Sequence, residues 1–220
     1  MTDPTPLPPA SEPARQDQSG EVSRVLLHIC CGPCAIWPLL RLREQGIGVT
    51  GFFYNPNIHP LQEYLRRRQA LADLAHIMAF DVIWGDIGYD PAVFFHAVHR
   101  REDNRCFHCY ALRLEKTRDA AQHLAFDAFS STLLYSRYQQ HETIADVGAM
   151  LANSLHGPSF HYEDFRVGWK KGIIRSKELG LYRQPYCGCL YSEFERYHKA
   201  LEAVAAQPVV QRARTDEPET

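Results

Sequence analysis

The sequence predicts an α/β fold, in which a Rossmann-like parallel sheet is flanked by helices and followed by a C-terminal helical part. Short apolar runs alternate with longer amphipathic segments, which is the pattern of strands joined by crossover helices. Hydrophobic residues make up 45% of the 220-residue chain and aromatic residues 11%, so one substantial core can be buried.

The elements follow one another along the chain. Four runs are short and apolar enough to be buried strands: residues 25–29, 49–54, 81–84 and 127–131. Six longer stretches are predicted helices: residues 35–45, 60–79, 91–100, 110–125, 139–155 and 191–205. In the second of these, Pro60 suits a first helical turn, and the apolar residues that follow it largely keep helical spacing.

Residues 23–205 are predicted to form a single α/β domain between two disordered tails. Residues 1–22 are rich in Pro, Ser and Gln, and residues 206–220 are mostly polar and charged, so neither can offset the entropy of ordering. No signal segment is evident, and no apolar run approaches the roughly 18 residues of a membrane helix. We therefore expect a cytoplasmic protein that does not contact a membrane.

The seven cysteines fall in three short groups. They are Cys30, Cys31 and Cys34 in ICCGPC, Cys106 and Cys109 in RCFHCY, and Cys187 and Cys189 in YCGCLY. In a reducing cytosol, grouped cysteines are more often metal ligands or catalytic thiols than a disulfide framework. The odd number also argues against simple pairing, so the groups indicate metal or redox chemistry.

The first group follows the first predicted strand and leads into a helix. The segments NPNIHP and STLLYSRYQQHE follow the second and fourth strands, so one pocket at this edge of the sheet could collect all three. CCGPC lacks the several glycines of a phosphate-binding loop, which argues against a nucleotide fingerprint. A helix N-terminus stabilises thiolates, which suits metal ligation or redox chemistry.

The second and third groups indicate different chemistry. Cys106 and Cys109 have the C-x-x-C spacing of zinc sites, iron–sulfur sites and thiol oxidoreductases, and two cysteines of the first group would complete a four-thiolate set. Structural zinc stays open, although adjacent cysteines fit its usual spacing poorly. Cys187 and Cys189 would close a strained, easily reduced disulfide, so they are a reversible two-electron couple or further metal-binding thiols.

Six segments occur in order over roughly residues 25–193: LLHICCGPC, GFFYNPNIHPLQEYLRRR, RCFHCYALRLE, FSSTLLYSRYQQHE, FRVGWKKGI and ELGLYRQPYCGCLYS. Together they resemble the QueH-type epoxyqueuosine reductases. The resemblance implies a fold related to α/β nucleotide hydrolases. It also implies cobalamin-independent, two-electron reduction of epoxyqueuosine to queuosine in tRNA, the last step of tRNA queuosine biosynthesis, with electrons from an unidentified donor.

The resemblance further implies roles for the cysteines. Cys30, Cys31, Cys106 and Cys109 match the ligands of a 4Fe-4S cluster, and Cys187 and Cys189 match a redox-active disulfide. An additional mononuclear iron is implied beside the cluster, and Cys34 is its candidate ligand here. Four residues in or beside the motifs are candidates for binding the substrate, as stacking rings or proton donors: Tyr54, His59, Tyr138 and His141.

Two other classes of protein stay open. One is a non-catalytic zinc-binding module that binds tRNA, and the other is an adenylating or thiolating tRNA-modification enzyme of related fold. The second would need a glycine–serine phosphate loop where this chain has CCGPC. Basic residues, including the run Arg66, Arg67 and Arg68, lie beside the motifs; a solvated helix face or a phosphate-binding rim would explain them.

Overall fold

The five strands form one parallel sheet at the centre of the fold. A computed structural model describes residues 22–85, 89–153 and 157–205, so the predicted tails, apart from Val22, lie outside the described residues. The strands are β1 (Arg24–His28), β2 (Gly48–Phe53), β3 (Val82–Trp84), β4 (Ala128–Ser131) and β5 (Ser159–Phe160). Their order is β3-β2-β1-β4-β5, and every pairing is parallel, which confirms the predicted α/β class.

Helices connect and cover the strands. They are α1 (Gly32–Glu44), α2 (Leu61–Met78), α3 (Pro91–Val98), α4 (Arg105–His123), α5 (His141–Ala152), α6 (Trp169–Glu178), α7 (Leu190–Tyr197) and α8 (Lys199–Ala205). The predicted helix 191–205 is in fact two helices, and neither α6 nor β5 was predicted. A two-residue strand is too short to show any periodicity, and α6 has few apolar residues to reveal its face.

Strand β1 lies in the middle of the sheet and is buried on both faces. Val25, Leu26 and Leu27 are inaccessible to solvent, which explains the continuous apolar run. Leu26 is in register with Thr50 of β2 and Phe129 of β4. The loop that follows β1 therefore begins at the buried centre of the sheet.

The loops after β1, β2 and β4 lie at the carboxyl edge of the sheet, as predicted. Helix α1 begins there against α2, and a Cβ at Gly32 would lie 2.3 Å from the carbonyl oxygen of Ala70. The segment between α6 and α7 returns across this edge, where Gln184 contacts Cys31 and the backbone of Gly188 contacts His59. Across the described ranges, every helix is too short or too polar to cross a membrane.

Candidate metal and redox site

The first cysteine group is a compact cluster of three sulfurs. Cys31 is the N-cap of α1 and Cys34 lies in its first turn, so both side chains reach the same end of the helix. The sulfurs of Cys30, Cys31 and Cys34 all lie within 4.8 Å of one another, and those of Cys30 and Cys31 are 3.9 Å apart. All three cysteines are buried. The group could hold a metal ion.

Two polar side chains from distant parts of the chain contact these sulfurs. Thr132, just after β4, donates a hydrogen bond to the sulfur of Cys30 (3.6 Å). The amide of Gln184 donates to the sulfurs of Cys31 (2.9 Å) and Cys34 (3.5 Å). Gln184 was not predicted, because a single polar residue in an irregular segment leaves no periodic signal.

The three thiols differ in acidity. Hydrogen bonds from Cys31 and Cys34 hold the pKa of Cys30 well below its usual range. Burial raises the pKa of Cys31, and hydrogen bonding to Cys30 and Cys31 raises that of Cys34. Cys30 is therefore the most acidic of the three thiols.

Cys106 and Cys109 lie at the start of α4, which begins at Arg105 and so includes both cysteines, whereas the predicted helix began at residue 110. Among the described residues, the first cysteine group is the one set of three or more possible metal ligands whose ligand atoms lie within 4.8 Å of one another. Cys106 and Cys109 are not members of this group, in which the sulfurs all lie within 4.8 Å of one another, as the ligands of a single ion would. Burial raises the pKa of Cys109 to about 11 and also raises the pKa of Cys106.

Arg113 is a buried cation between the cysteine groups. Its Nε donates to the carbonyl oxygen of Cys109, one turn earlier on α4 (3.1 Å), and its side chain is almost completely buried. Its positive charge interacts with Cys109, Cys30 and Cys187. Arg113 was not predicted, although its position four residues after Cys109 places the two on one helix face.

The third group forms a thiol pair ahead of α7. The sulfurs of Cys187 and Cys189 are 3.8 Å apart, with Cys187 exposed and Cys189 buried. The sulfur of Cys189 caps α7 by accepting the amide of Ser192 (3.4 Å), and the Ser192 hydroxyl lies 3.1 Å from the Cys187 sulfur. Hydrogen bonding with Cys189 and then with Ser192 lowers the pKa of Cys187 to about 5, whereas hydrogen bonding with Cys187 raises the pKa of Cys189.

A cavity of about 520 Å³ connects the first and third groups. Cys30, Cys34, Arg113 and Cys187 all line it. Its wall includes further polar and aromatic side chains, among them Ser136, Tyr138, Trp169, Arg183, Gln184, Ser192 and Arg196. Thiols from both ends of the chain therefore face one space, large enough for a nucleoside-sized ligand.

The four candidate substrate residues are not gathered in this cavity. Among the described residues, Tyr138 is the one of these four that lines the cavity, and its side chain is 85% exposed. The carbonyl oxygen of Tyr54 lies 3.2 Å from His28 Nε2. His59 packs against the rings of Tyr89, Phe94 and Phe95, and His141 Nε2 lies 3.2 Å from the Tyr162 hydroxyl. The segment NPNIHP thus packs behind the third cysteine group, outside the predicted common pocket.

Comparison with known proteins gives one consistent result. The family model "Epoxyqueuosine reductase QueH" matches residues 25–195. Proteins of that name from Dehalococcoides mccartyi, Thermotoga maritima and Acinetobacter baylyi are 38%, 35% and 36% identical to this chain over 176, 186 and 180 residues. These matches cover 80%, 81% and 77% of this chain, and 96%, 94% and 80% of the relatives. The chain belongs to the QueH family of epoxyqueuosine reductases.

Proposed function

We propose that this chain reduces epoxyqueuosine to queuosine in tRNA. The names of its relatives support this activity, and the cavity of about 520 Å³ carries the proposal structurally. Cys30, Cys34 and Cys187 all line this cavity. A substrate held there would contact a metal-binding thiol cluster and a thiol pair at the same time.

The thiol pair matches the electron requirement of the reaction. Converting an epoxide to an alkene breaks two C–O bonds and releases the oxygen as water, which takes two electrons and two protons. Formation of a disulfide between Cys187 and Cys189 releases two electrons and two protons, so the overall equation balances. A dithiol-type reductant must then restore the pair before the next turnover.

The first cysteine group fits an iron–sulfur cofactor. Its ligands are soft, its three sulfurs are buried, and they converge within 4.8 Å. We propose that Cys30, Cys31, Cys106 and Cys109 would hold a 4Fe-4S cluster and that Cys34 would contribute to a mononuclear iron. A bound cluster supplies electrons one at a time. Thr132 and Gln184 orient the thiols of the first group.

Arg113 would counter the negative charge of this site. A buried guanidinium is costly unless anions are near it, and the groups that interact with Arg113 include the thiols of Cys109, Cys30 and Cys187. Its charge also acts on Cys187 across the cavity. Arg113 would therefore stabilise thiolates and any negative charge that develops on the departing epoxide oxygen.

The cavity mouth suits a nucleotide. Tyr138 and Trp169 meet edge to face there, with ring centroids 5.6 Å apart, and could stack on a splayed anticodon base. Arg183 and Arg196 also line the cavity, and within the described ranges neither forms a salt bridge. We propose that these two cations contact the phosphates of tRNA.

Nucleoside analysis tests the function directly. tRNA from cells that lack other epoxyqueuosine reductases would be digested and measured by mass spectrometry, with and without this chain and without added cobalamin. We expect epoxyqueuosine to disappear and queuosine to accumulate when the chain is expressed. Persistence of epoxyqueuosine in the presence of folded, iron-loaded protein would refute the proposal.

A further inference from the structure

Helix α2 carries a buried ion pair beneath the third cysteine group. The side chains of Glu63 and Arg67 are each 1% exposed, and Arg67 Nε lies 2.7 Å from Glu63 Oε1. Arg67 belongs to an Arg-Arg-Arg run that has the appearance of a basic surface in the sequence. Its neighbours Arg66 and Arg68 are indeed exposed. Burying a charged pair is costly, so its remaining hydrogen-bonding groups need partners.

Those partners are in the segment that carries the thiols. Arg67 Nη1 donates to the carbonyl oxygen of Cys187 (2.8 Å), and Nη2 donates to that of Tyr186 (3.0 Å). Glu63 Oε2 accepts the hydroxyl of Tyr182 (2.5 Å). A planar guanidinium can make this fork of bonds, whereas a lysine ammonium cannot reproduce it.

The segment Cys187-Gly188-Cys189, here called the thiol loop, also has hydrogen bonds to residues outside α2. The amide of His59 donates to the carbonyl oxygen of Gly188 (2.7 Å), and the Ser192 hydroxyl donates to that of Cys189 (2.8 Å). Four consecutive carbonyls, from residue 186 to residue 189, therefore have partners. Gly188 has a φ of +130°, and a Cβ there would lie 3.0 Å from Ile58 and 3.2 Å from Arg67.

This fixed conformation is that of the dithiol. The sulfurs are 3.8 Å apart, whereas a disulfide bond is about 2.0 Å long. A disulfide between two residues separated by one closes a very small ring, so we expect the backbone that joins Cys187 to Cys189 to change when the bond forms. Contacts that hold the carbonyls in the open conformation stabilise the reduced state relative to the oxidised state.

We infer that the Glu63–Arg67 pair is a positioning device that holds the Cys187-Gly188-Cys189 loop in its dithiol form. It makes the disulfide a stronger oxidant, so that cellular thiols recharge the pair readily. This inference rests on the proposed function only in taking Cys187 and Cys189 as the redox couple. The relevant exchange breaks the S–S bond of glutathione disulfide, forms the Cys187–Cys189 bond, and transfers two electrons and two protons to give two glutathione thiols.

The equilibrium can be measured on the full-length chain. Protein purified anaerobically is equilibrated with mixtures of reduced and oxidised glutathione, quenched in acid, and alkylated before and after reduction with two different reagents. Trypsin cleaves after Arg183 and Arg196, so both cysteines lie in one peptide, 184–196, that has no other cysteine. Mass spectrometry of this peptide gives the fraction of disulfide.

Arg67→Lys and the double variant E63Q/R67M test the inference. Arg67→Lys keeps the buried charge but loses the fork of bonds, and E63Q/R67M removes both charges. Each is expected to raise the equilibrium constant for disulfide formation about tenfold, the effect of losing a charge-assisted hydrogen bond. Arg66→Met is the matched control, because Arg66 also contacts Glu63 (3.1 Å) but is exposed and makes no bond to the thiol loop. It should change the constant less than twofold.

The outcomes separate the two proposals. A wild-type chain that forms no Cys187–Cys189 disulfide at any glutathione ratio would refute the redox couple itself. A wild-type chain that forms it, with the Arg67 variants within twofold of wild type or shifted toward the dithiol, would refute the positioning role. Circular dichroism melting identifies folded variants, and E63Q/R67M decides the question if Arg67→Lys is unfolded.

Discussion

The first and third cysteine groups face the same cavity but are built differently. Cys30, Cys31 and Cys34 are buried where β1 meets α1, and their sulfurs contact side chains from two other parts of the chain. Cys187 and Cys189 lie on a loop held mainly through its backbone carbonyls, and Cys187 is exposed. One group has three convergent sulfurs, and the other has two sulfurs with a glycine between them.

The difference corresponds to a difference in chemistry. A metal site needs several ligands that do not move, which the buried strand–helix junction provides. A thiol pair that exchanges two electrons must open and close and must be reached by its reductant, which a loop with an exposed sulfur allows. We therefore propose metal binding for the first group and electron exchange for the third.

Cysteine substitutions in the two groups should differ in their effect on iron content, and these are the largest effects that we expect. Cys31→Ser should lower the iron content at least tenfold, because it removes a buried convergent ligand. Cys187→Ser should keep the iron and its visible absorbance but permit no multiple turnover. Iron and sulfide analysis of anaerobically purified protein, with a turnover assay on epoxyqueuosine-containing tRNA, measures both. Equal loss of iron in the two variants, or zinc as the bound metal, would contradict the assignment.

A second pair of variants tests which thiols complete the first group. If Cys106 is a cluster ligand, Cys106→Ser should lose most of its iron, whereas Cys34→Ser should keep the cluster absorbance and lose about one iron of roughly five. The structure places Cys34 with Cys30 and Cys31, so the alternative is a site built on these three sulfurs. In that case the two phenotypes would be exchanged. Iron per chain and the absorbance spectrum distinguish the two results.

The sequence predicted the strands and the sheet edge that carries the site better than it predicted the local structure of the cysteine motifs. Apolar runs located β1, β2, β3 and β4 within one or two residues, and strand order placed the first cysteine group at the correct edge. Periodicity reports only which face of an element is apolar. It could not show that Cys106 and Cys109 begin a helix, because their turn has no apolar stripe of its own.

The residues that hold the two groups were missed for a related reason. Arg67 is indistinguishable in sequence from its neighbours Arg66 and Arg68, and only the segment packed over α2 makes it buried. Gln184 contacts the thiols of Cys31 and Cys34 because the fold brings two distant segments of the chain together. Contacts of this kind depend on tertiary packing, which local sequence does not encode.

The thiol pair should react in a way that depends on pH. With a pKa of about 5, Cys187 is a thiolate at neutral pH, so its alkylation by iodoacetamide should rise as the pH passes through about 5 and then level off. An ordinary cysteine, with a pKa near 8.5, is only a few per cent thiolate at pH 7, so its alkylation should instead rise through about pH 8.5. The rate is measured on peptide 184–196 from reduced protein.

The Ser192 hydroxyl lies 3.1 Å from this sulfur, which provides an internal comparison. Ser192→Ala removes one of the two side-chain hydrogen bonds that lower the pKa of Cys187, so the midpoint of its alkylation curve should move to higher pH. A wild-type midpoint above pH 8 would show that the thiol pair is not activated in this way.

The smallest effect that we expect is at Tyr138, an exposed side chain in the lining of the cavity. Tyr138 is 85% exposed and contacts Trp169 edge to face, so its ring contributes little to the core. Stacking of an aromatic ring on one base contributes about 1–3 kcal/mol, so Tyr138→Ala should raise KM for tRNA about tenfold and change kcat little.

Tyr162→Ala is the control, because Tyr162 is also exposed but is not among the described residues lining this cavity. Steady-state kinetics on the modified tRNA would show equal KM values for the two variants if Tyr138 does not stack on the substrate. A kcat loss confined to Tyr138→Ala would instead place the ring against the reacting atoms, next to the two thiol groups.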